Sequence, residues 1–327
     1  MRRFKHFDAF TVEEATSLLG KFEGRARVIA GGTDIIGELK DDVRPEPYEA
    51  LINIKTIPGL EEISEENGML KIGALVKLED IAHNETIKDK YTALALAAGR
   101  VGSPHIREMG TLGGNICQNV RCWYYRAPHN RFNCIRKGGD ECFSSDGDNR
   151  YHSIFGDVKD CLAVNPSDTL PALVVLGAKI KTSKRIIEIG DFFPAKDDPT
   201  HMNILEPDEV VTEIQIPEPD PRMQTYWKKF AIRKSIDFPI VNCAVMVLKE
   251  GDVIEDARVC LNAVYYKPYV PERVADYLVG EELDEETAII AAEAAVWGAK
   301  PLSKNEYKIQ IAKGLVKQTL LACNGNR

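Results

Sequence analysis

Four cysteines lie close together in the middle of the chain, in a stretch rich in glycine and polar residues. They fall within forty residues, with intervening gaps of 11, 7 and 18 residues: Cys122, Cys134, Cys142 and Cys161. Four thiolates suit either a tetrahedral zinc ion or an iron–sulfur cluster. The stretch contains no Cys-x-x-Cys pair, which disfavours an ordinary zinc ribbon. The spacing therefore predicts a metal or cluster site carried by a loop.

The loop that carries these cysteines needs a source of order other than its own core, because Pro128 and four glycines interrupt a mostly polar sequence. Five cationic residues would offset the negative charge of a cluster, or would equally form a solvated basic face: Arg121, Arg126, Arg131, Arg136 and Lys137. Cys117 is expected to be a packing residue, and His152 a surface or hydrogen-bonding residue rather than a ligand. Metal ligation would supply the missing order.

Two glycine-rich turns are candidates for anion binding. The first, residues 30–34 with the sequence AGGTD, follows a predicted strand, and the second is residues 110–115, GTLGGN. Consecutive glycines let several backbone N–H groups point at one anion, and Thr33, Thr111 and Asn115 add short side-chain donors. Neither turn is a Walker motif or a dinucleotide fingerprint, and each alone is compatible with a structural turn. Together they predict a diphosphate site.

Charged residues further along the chain are candidates for contacts with the rest of a ligand. Asp168 lies in a turn that leads into an apolar segment, where its carboxylate would accept hydrogen bonds from sugar hydroxyls or would cap a helix. Lys229 and Arg233 could donate to an electron-rich ring, although most such lysines are simply exposed.

The pattern of apolar and turn residues predicts an α+β chain in two parts. The first part has a capped helix after Thr11, strands at 25–30, at 50–54 and on both sides of Asn67-Gly68, and a helix at 91–99. Three prolines in residues 217–221 predict a linker, which divides the chain into domains 1–220 and 221–327. The second domain has predicted strands at 241–248 and 257–265 and helices at 284–297 and 305–323.

Composition excludes several other classes of protein. The 327 residues are 44% hydrophobic and 28% charged, as in ordinary globular proteins. The formal net charge of −8 predicts no general attraction to nucleic acid or anionic lipid. No apolar run approaches the roughly 18 residues that cross a bilayer, and no apolar segment follows the first basic residues. We therefore expect a soluble cytoplasmic protein with reduced cysteines.

Taken together, these motifs resemble those of the flavin-binding medium subunits of the xanthine dehydrogenase family of molybdenum enzymes. The likeness covers nearly the whole chain and rests on Phe7 with the helix at 11–19, and on residues 30–34, 101–107, 111–115 and 167–173. It implies an FAD-binding domain of the vanillyl-alcohol-oxidase or p-cresol-methylhydroxylase type, built from two α+β subdomains. A domain of the carbon monoxide dehydrogenase flavoprotein C-terminal type follows it.

The resemblance also implies which residues hold FAD. In this family the two glycine-rich turns bind the diphosphate, the Ser-Asp aspartate contacts the ribityl chain, and a lysine approaches the isoalloxazine. The positions that match the family's flavin site are Ala30, Gly31, Gly32, Thr33, Asp34, Ile35, Gly102, Thr111, Gly114, Asn115, Asp168 and Lys229. No catalytic side chain is expected, because the chemistry would be electron transfer through cofactors.

The inserted loop, about residues 117–161, resembles that of the 4-hydroxybenzoyl-CoA reductases within this family. There, four cysteines bind an additional 4Fe-4S cluster. Cys122, Cys134 and Cys142 match the first three ligands, and Cys161 matches the fourth when 161–173 is aligned as a unit. The resemblance further implies a large subunit with the molybdenum cofactor and the substrate, and a small subunit with two 2Fe-2S clusters.

The sequence thus predicts a subunit that relays electrons through FAD and a 4Fe-4S cluster, with ferredoxin or NAD as the external carrier. The extra cluster favours ferredoxin and the reductive dehydroxylation of an aromatic acyl-CoA. One alternative is the FAD subunit of an NAD-linked xanthine or purine, nicotinate or aldehyde dehydrogenase, in which the loop is vestigial or binds zinc. An alternative of another class is a non-catalytic, metal-stapled nucleotide-binding module.

Overall fold

Three β-sheets organise residues 1–324, which are the residues that the computed structural model describes. The strands are β1 Lys5–Asp8, β2 Ala26–Ile29, β3 Ala50–Asn53, β4 Ile63–Glu66, β5 Met69–Gly73, β6 Lys179–Thr182, β7 Ile186–Glu188, β8 Val211–Pro217, β9 Met223–Phe230, β10 Val241–Glu250 and β11 Val253–Asn262. The helices are α1 Val12–Gly20, α2 Ile35–Lys40, α3 Leu78–His83, α4 Glu85–Lys90, α5 Thr92–Gly99, α6 Pro104–Arg107, α7 Leu112–Cys117, α8 Trp123–Arg126, α9 Leu170–Val175, α10 Glu285–Ala295 and α11 Tyr307–Ala322. None of these helices is long and apolar enough to cross a bilayer.

The first sheet is parallel, with strand order β1-β3-β2, and it places the first glycine-rich turn directly after β2. Helix α1 packs on this sheet and begins where the sequence predicts: the hydroxyl of Thr11 accepts the N–H of Glu14 at 3.1 Å. The carboxylate of Glu14 accepts the N–H of Phe10 rather than that of Thr11, so the expected reciprocal bond is shifted by one residue.

The second sheet is antiparallel, with strand order β4-β5-β8-β6-β7. The predicted hairpin joins β4 to β5, and Asn67 and Gly68 both have positive φ, at 54° and 71°. This is the backbone that an Asn-Gly turn adopts with little strain. Helices α5 and α9 share one apolar core with this sheet, so the first part of the chain has two separate α+β units.

The third sheet, with strand order β11-β10-β9, forms the second part of the chain. Residues 241–247 of strand β10 are buried on both faces, which explains the apolar run at 243–247. Cys243, Val245 and Val247 pack under α10 and α11, whereas Ala244 and Met246 pack into the core of the second sheet. Residues 218–222 connect the second sheet to the third, and we propose the domain boundary there.

The inserted loop has a small core of its own, contrary to the expectation that its composition cannot form one. The ring of Tyr124 lies 5.2 Å from that of Phe132 and 6.2 Å from that of Phe143. Beside these rings, Cys134 and Cys161 are buried in an apolar cluster. The aromatic rings between the glycines and polar residues supply the apolar contacts of this core.

Two residues of the second domain hold the part of the loop that contains His152: Asn305, just before α11, and Lys308, in the first turn of α11. Asn305 donates a side-chain hydrogen bond to the backbone carbonyl of His152 at 3.1 Å, and the ammonium group of Lys308 lies 2.9 Å from the same oxygen. Lys308 also donates to the carbonyl of Ala263 at 2.5 Å. Because Lys308 is fully buried, burial lowers its pKa to about 7.

This buried lysine makes stability depend on pH. Between about pH 7 and pH 10.5 the unfolded chain binds a proton at Lys308 that the folded chain does not bind, so the free energy of unfolding should rise with pH. The expected slope, relative to the Lys308→Met variant, is roughly 1 kcal/mol per pH unit. Denaturant unfolding of both proteins at about pH 7 and about pH 9 measures it.

Lys317→Met removes a partly exposed lysine from the same helix and serves as the control. Its difference from wild type should stay constant with pH. A pH-independent difference between wild type and Lys308→Met would contradict the assignment of a neutral amine to Lys308 in the folded chain.

Candidate functional site

The two glycine-rich turns line a single cavity of about 270 Å³. Residues 30–35 form one side, and Thr111 and Gly114 lie on the other. The turns also touch each other: a Cβ atom at Gly31 would lie 1.9 Å from the backbone oxygen of Met109. Only glycine permits this approach, so the sequence places the two turns in contact through Gly31. We refer to this space as the flavin cavity.

The first of the two turns offers the larger number of free backbone donors. Within residues 1–324, the N–H groups of Gly31, Gly32 and Thr33 donate to no other residue. In the second turn, the N–H of Gly113 donates to the carbonyl of Ala74 at 3.0 Å, and that of Gly114 to the hydroxyl of Thr111 at 3.1 Å. The second turn therefore has fewer free donors than the first, and the binding of a diphosphate by both turns stays a prediction.

Asp34 joins the first turn to the inserted loop. Its carboxylate accepts hydrogen bonds from the Arg126 guanidinium at 2.6 Å and from the Asn119 N–H at 2.8 Å, and it forms an ion pair with Arg121 at 2.8 Å. Burial opposes ionisation of this carboxyl, but the two arginines outweigh burial and lower the pKa of Asp34. One turn later, the buried carboxylate of Glu38 accepts a hydrogen bond from the Asn119 side chain at 2.6 Å.

Asp168 and Lys229 form a second polar group, about one ion pair. The Lys229 ammonium donates to the Asp168 carboxylate at 2.6 Å, and both side chains are almost fully buried, at 4% and 3% exposure. Asn242 on β10 donates to the other carboxylate oxygen at 2.8 Å. Burial raises the pKa of Asp168, although Lys229 and Asn242 act in the opposite direction. The second domain thus contributes two of the residues that surround this carboxylate.

The structure brings together most of the predicted flavin residues. Eight of the twelve line the flavin cavity: Ala30, Gly31, Gly32, Thr33, Asp34, Ile35, Thr111 and Gly114. Asn115 connects them to the aspartate turn, because its side-chain oxygen accepts hydrogen bonds from Ser167 at 2.6 Å and Thr169 at 2.7 Å. Gly102 lies apart from the cavity lining, and its carbonyl accepts the N–H of Ile236 at 2.8 Å. Their roles toward FAD remain predictions.

The four loop cysteines line one narrow cavity of about 10 Å³, which we call the cysteine cavity. Cys134 and Cys161 are buried, and Cys122 and Cys142 are partly buried. Burial raises the pKa of Cys122 to about 12. Among residues 1–324, no group of three or more His, Cys, Asp or Glu side chains is placed so that it could hold a metal ion.

Polar residues contact three of the four sulfur atoms. The Arg136 guanidinium donates to the sulfur of Cys161 at 3.4 Å, and a ring nitrogen of His152 lies 3.2 Å from that of Cys122. The hydroxyl of Ser144 lies 3.0 Å from the sulfur of Cys142. Burial and Lys308 lower the pKa of His152 to about 4, so this imidazole is neutral near pH 7. His152 is a buried hydrogen-bonding residue, one of the two roles that the sequence left open.

The basic residues of the loop do not act as one group. Arg121 and Arg126 pair with Asp34, and the side chain of Lys137 donates to the backbone of Val43 at 3.2 Å. Arg131 is exposed. Among the five, Arg136 is the residue whose side chain hydrogen-bonds to a cysteine sulfur within residues 1–324. The sequence predicted one shared role for all five residues, either charge compensation or a solvated face. In the structure the five residues have different roles.

A three-residue segment, residues 201–203, belongs both to the lining of the flavin cavity and to the apolar cluster of the loop, and we call it the shared wall. His201 and Asn203 line the flavin cavity, and Met202 between them packs in the cluster that contains Cys134 and Cys161. Cys117, expected to be a packing residue, also lines the flavin cavity, and burial raises its pKa to about 12. No sequence motif predicted the shared wall, because it lies in an irregular polar segment far from both motifs.

Comparison with known proteins identifies the class of protein that this geometry belongs to. Residues 2–219 match the family described as FAD binding domain in molybdopterin dehydrogenase, and residues 226–323 match the CO dehydrogenase flavoprotein C-terminal domain. The chain is 31% identical to the FAD-subunit of nicotinate dehydrogenase from Eubacterium barkeri, over 88% of this chain and 83% of that protein. It is 28% identical to the FAD-binding subunit of an aldehyde oxidoreductase from Escherichia coli (strain K12), over 98% of each.

Solved structures share the fold. Carbon monoxide dehydrogenase from Hydrogenophaga pseudoflava, in a form that lacks the Mo-pyranopterin moiety of its cofactor, superposes with a TM-score of 0.77 and 24% identity, covering 98% of this chain and 97% of that chain. Quinoline 2-oxidoreductase from Pseudomonas putida 86 gives a TM-score of 0.76 and 23% identity over the same shares. These structures support the architecture described above.

The fold and the flavin cavity thus define a two-domain flavoprotein. The chain belongs to the family of FAD-binding subunits of molybdenum hydroxylases, and it is an oxidoreductase subunit. The predicted α+β order, an FAD-binding domain followed by a CO dehydrogenase flavoprotein C-terminal domain, is confirmed, and so is the prediction of FAD. This membership excludes the alternative of a non-catalytic nucleotide-binding module. These relatives do not support the expected resemblance to 4-hydroxybenzoyl-CoA reductase, nor a 4Fe-4S cluster in this subunit.

Gly31 should be essential for flavin binding. In the Gly31→Ala variant the added Cβ meets the backbone oxygen of Met109, and relieving this overlap forces the two turns apart at a cost of roughly 1–3 kcal/mol. We expect loss of most bound FAD, measured as flavin absorbance per polypeptide. Gly37→Ala is the matched control, because nothing lies within 4 Å of its added Cβ and helix α2 favours alanine by about 1 kcal/mol. Full flavin content in Gly31→Ala would refute the close contact between the turns.

The contributions of Asp168 and Lys229 to the free energy of unfolding should depend on each other. Lys229→Met leaves the Asp168 carboxylate buried without its cation, which costs about 3–5 kcal/mol of unfolding free energy. The double variant Asp168→Asn/Lys229→Met should recover most of that loss, as measured by denaturant unfolding. Lys228→Met is the control, since residue 228 faces the other side of β9. Equal losses in the single and double variants would show that the two charges are not coupled.

Proposed function

We propose that this chain is the FAD- and 4Fe-4S-containing electron-transfer subunit of a molybdenum-dependent complex, most similar to 4-hydroxybenzoyl-CoA reductase. The observation that carries the proposal is the convergence of four cysteines, spread over forty residues, on one cavity. A family member that lacks this cavity would transfer electrons through its flavin alone.

In this proposal the first turn and its neighbours hold FAD. The free N–H groups of Gly31, Gly32 and Thr33 donate to the diphosphate, and Asp34 keeps that turn in place through the arginines of the loop. Asp168 and Lys229 supply the polar end of the site, together with Gly102, Thr111, Gly114 and Asn115. FAD, when bound, exchanges one or two electrons, and a 4Fe-4S cluster exchanges one at a time.

The cysteine cavity fits a cluster by its chemistry. Its lining offers four soft sulfur donors, and the remaining lining residues include two tyrosines, Ile135 and Phe143, which exclude water. The residues proposed to bind it are Cys122, Cys134, Cys142 and Cys161.

The proposed complex has further subunits and an external carrier. The related carbon monoxide dehydrogenase protein from Hydrogenophaga pseudoflava is called a medium chain. By analogy we propose a large molybdopterin-binding subunit and a small 2Fe-2S subunit as partners here. Ferredoxin is the proposed electron donor, and an aromatic acyl-CoA undergoing reductive dehydroxylation the proposed substrate of the large subunit. All eight cysteines are free thiols, in keeping with the proposed cytoplasmic location.

A second candidate function is the FAD subunit of an NAD-linked dehydrogenase acting on a purine, nicotinate or an aldehyde. The relatives with the names nicotinate dehydrogenase and aldehyde oxidoreductase favour it. In this alternative the cysteine loop is vestigial or holds zinc. Reduction of the bound flavin by NADH, tested beside reduction by ferredoxin, separates the two candidates.

Cluster binding is tested by iron and acid-labile sulfide analysis of the chain purified without oxygen. The Cys142→Ser variant removes a partly buried ligand and should lose most iron and sulfide while it keeps FAD. Cys323→Ala, at the end of α11, is the control and should keep both. Zinc without iron in the wild-type chain, or unchanged iron in Cys142→Ser, would end the cluster proposal.

A further inference from the structure

Arg136 is a buried cation without an acidic partner. Its residue exposure is 6%, and none of the ion pairs among residues 1–324 includes it. Its guanidinium donates instead to the sulfur of Cys161 at 3.4 Å, to the sulfur of Met202 at 3.1 Å and to the carbonyl of His201 at 3.4 Å. A buried charge with only neutral partners is unfavourable by several kcal/mol. The environment of Arg136 therefore calls for an anion at one of these atoms.

Two partly buried arginines of the same loop have the acidic partners that Arg136 lacks. Arg121 and Arg126 both contact the carboxylate of Asp34, at 2.8 Å and 2.6 Å, and Arg126 also lies 3.3 Å from Glu38. Of the three atoms that Arg136 contacts, the sulfur of Cys161 is the one that becomes anionic, because a thioether and an amide oxygen carry no charge in either state. Cys161 as a thiolate ligand would supply the missing anion.

The contacts of Arg136 also connect the two cavities. Arg136 itself lines the cysteine cavity, and the two residues it contacts, His201 and Met202, belong to the shared wall, in which His201 lines the flavin cavity and Met202 packs with Cys134 and Cys161. One planar guanidinium therefore holds a proposed cluster ligand and the wall of the flavin cavity in a fixed relation. A lysine at this position has no such fork of donors.

We propose that Arg136 is the positioning residue that compensates the charge of the Cys161 thiolate and raises the reduction potential of the 4Fe-4S cluster. The inference rests on the proposed function. A positive charge beside the thiolate stabilises the reduced cluster, which carries one more negative charge than the oxidised cluster. Removal of the charge therefore lowers the potential.

The test is a redox titration of the cluster in the full chain, followed by its electron paramagnetic resonance signal. In Arg136→Gln the ratio of reduced to oxidised cluster at a fixed solution potential should fall about tenfold. This corresponds to a decrease of about 59 mV in the reduction potential for a one-electron couple. Arg136→Lys keeps the charge and should fall between this variant and wild type. Arg131→Met removes an exposed arginine of the same loop and should shift the potential far less, because solvent and salt screen it.

Each outcome decides the question. Arg136→Gln with full iron and the wild-type potential overturns the inference while it leaves the proposed function standing. If Arg136→Gln loses its iron, Arg136→Lys decides: retained iron supports the need for a cation, and lost iron shows a role in folding that is not charge compensation. A wild-type chain without iron overturns the proposed function, and this inference with it.

Discussion

Asp34 ends the first glycine-rich turn, and its carboxylate holds Arg121, Arg126 and the N–H of Asn119 from the inserted loop. This contact joins the donors of the flavin cavity to the segment that carries the cysteines. The carboxylate is ionised because the two cations outweigh the effect of burial on its pKa. The positions of both cavities therefore depend on one charged group, and Glu38 extends the same contact into α2.

Cysteine has two roles in the loop, and they do not conflict. Cys134 and Cys161 contribute to the apolar core beside Tyr125 and Met202, as buried cysteines commonly do. The loop is also tied to the rest of the protein by backbone hydrogen bonds, such as the one from His129 to the carbonyl of Asp41 at 2.8 Å. Its order thus does not depend wholly on a bound metal. Because the loop is already partly ordered, less of the free energy of metal binding is used to fold it.

Local features of this fold were predictable and distant ones were not. The cap at Thr11 and the hairpin at Asn67-Gly68 depend on residues close in sequence, and both occur as expected. The contact of Arg126 with Asp34 joins residues 92 positions apart, and no spacing rule reveals it. Strand β9 was not predicted from the sequence, because its lysines conceal the alternation of buried and exposed positions that places Thr225 and Trp227 in the core.

The same limit applies to the candidate sites. Glycine and cysteine patterns identified the residues of both cavities, since these residue types are constrained by backbone approach and by sulfur chemistry. These patterns did not indicate which arginine would be buried, because a charged side chain is expected to be exposed when its neighbours are unknown. Arg136 and the shared wall emerge only from the packing of three segments.

The hydrogen bonds from Asn305 and Lys308 to the carbonyl of His152 carry a practical consequence. The second domain contributes no cysteine to the loop, yet it holds in place the segment of the loop between Cys142 and Cys161. A polypeptide shortened to the first domain would keep every proposed ligand and lose the support behind them. Ligand content and site integrity are therefore separate properties in this protein, and work on the cysteine cavity requires both domains.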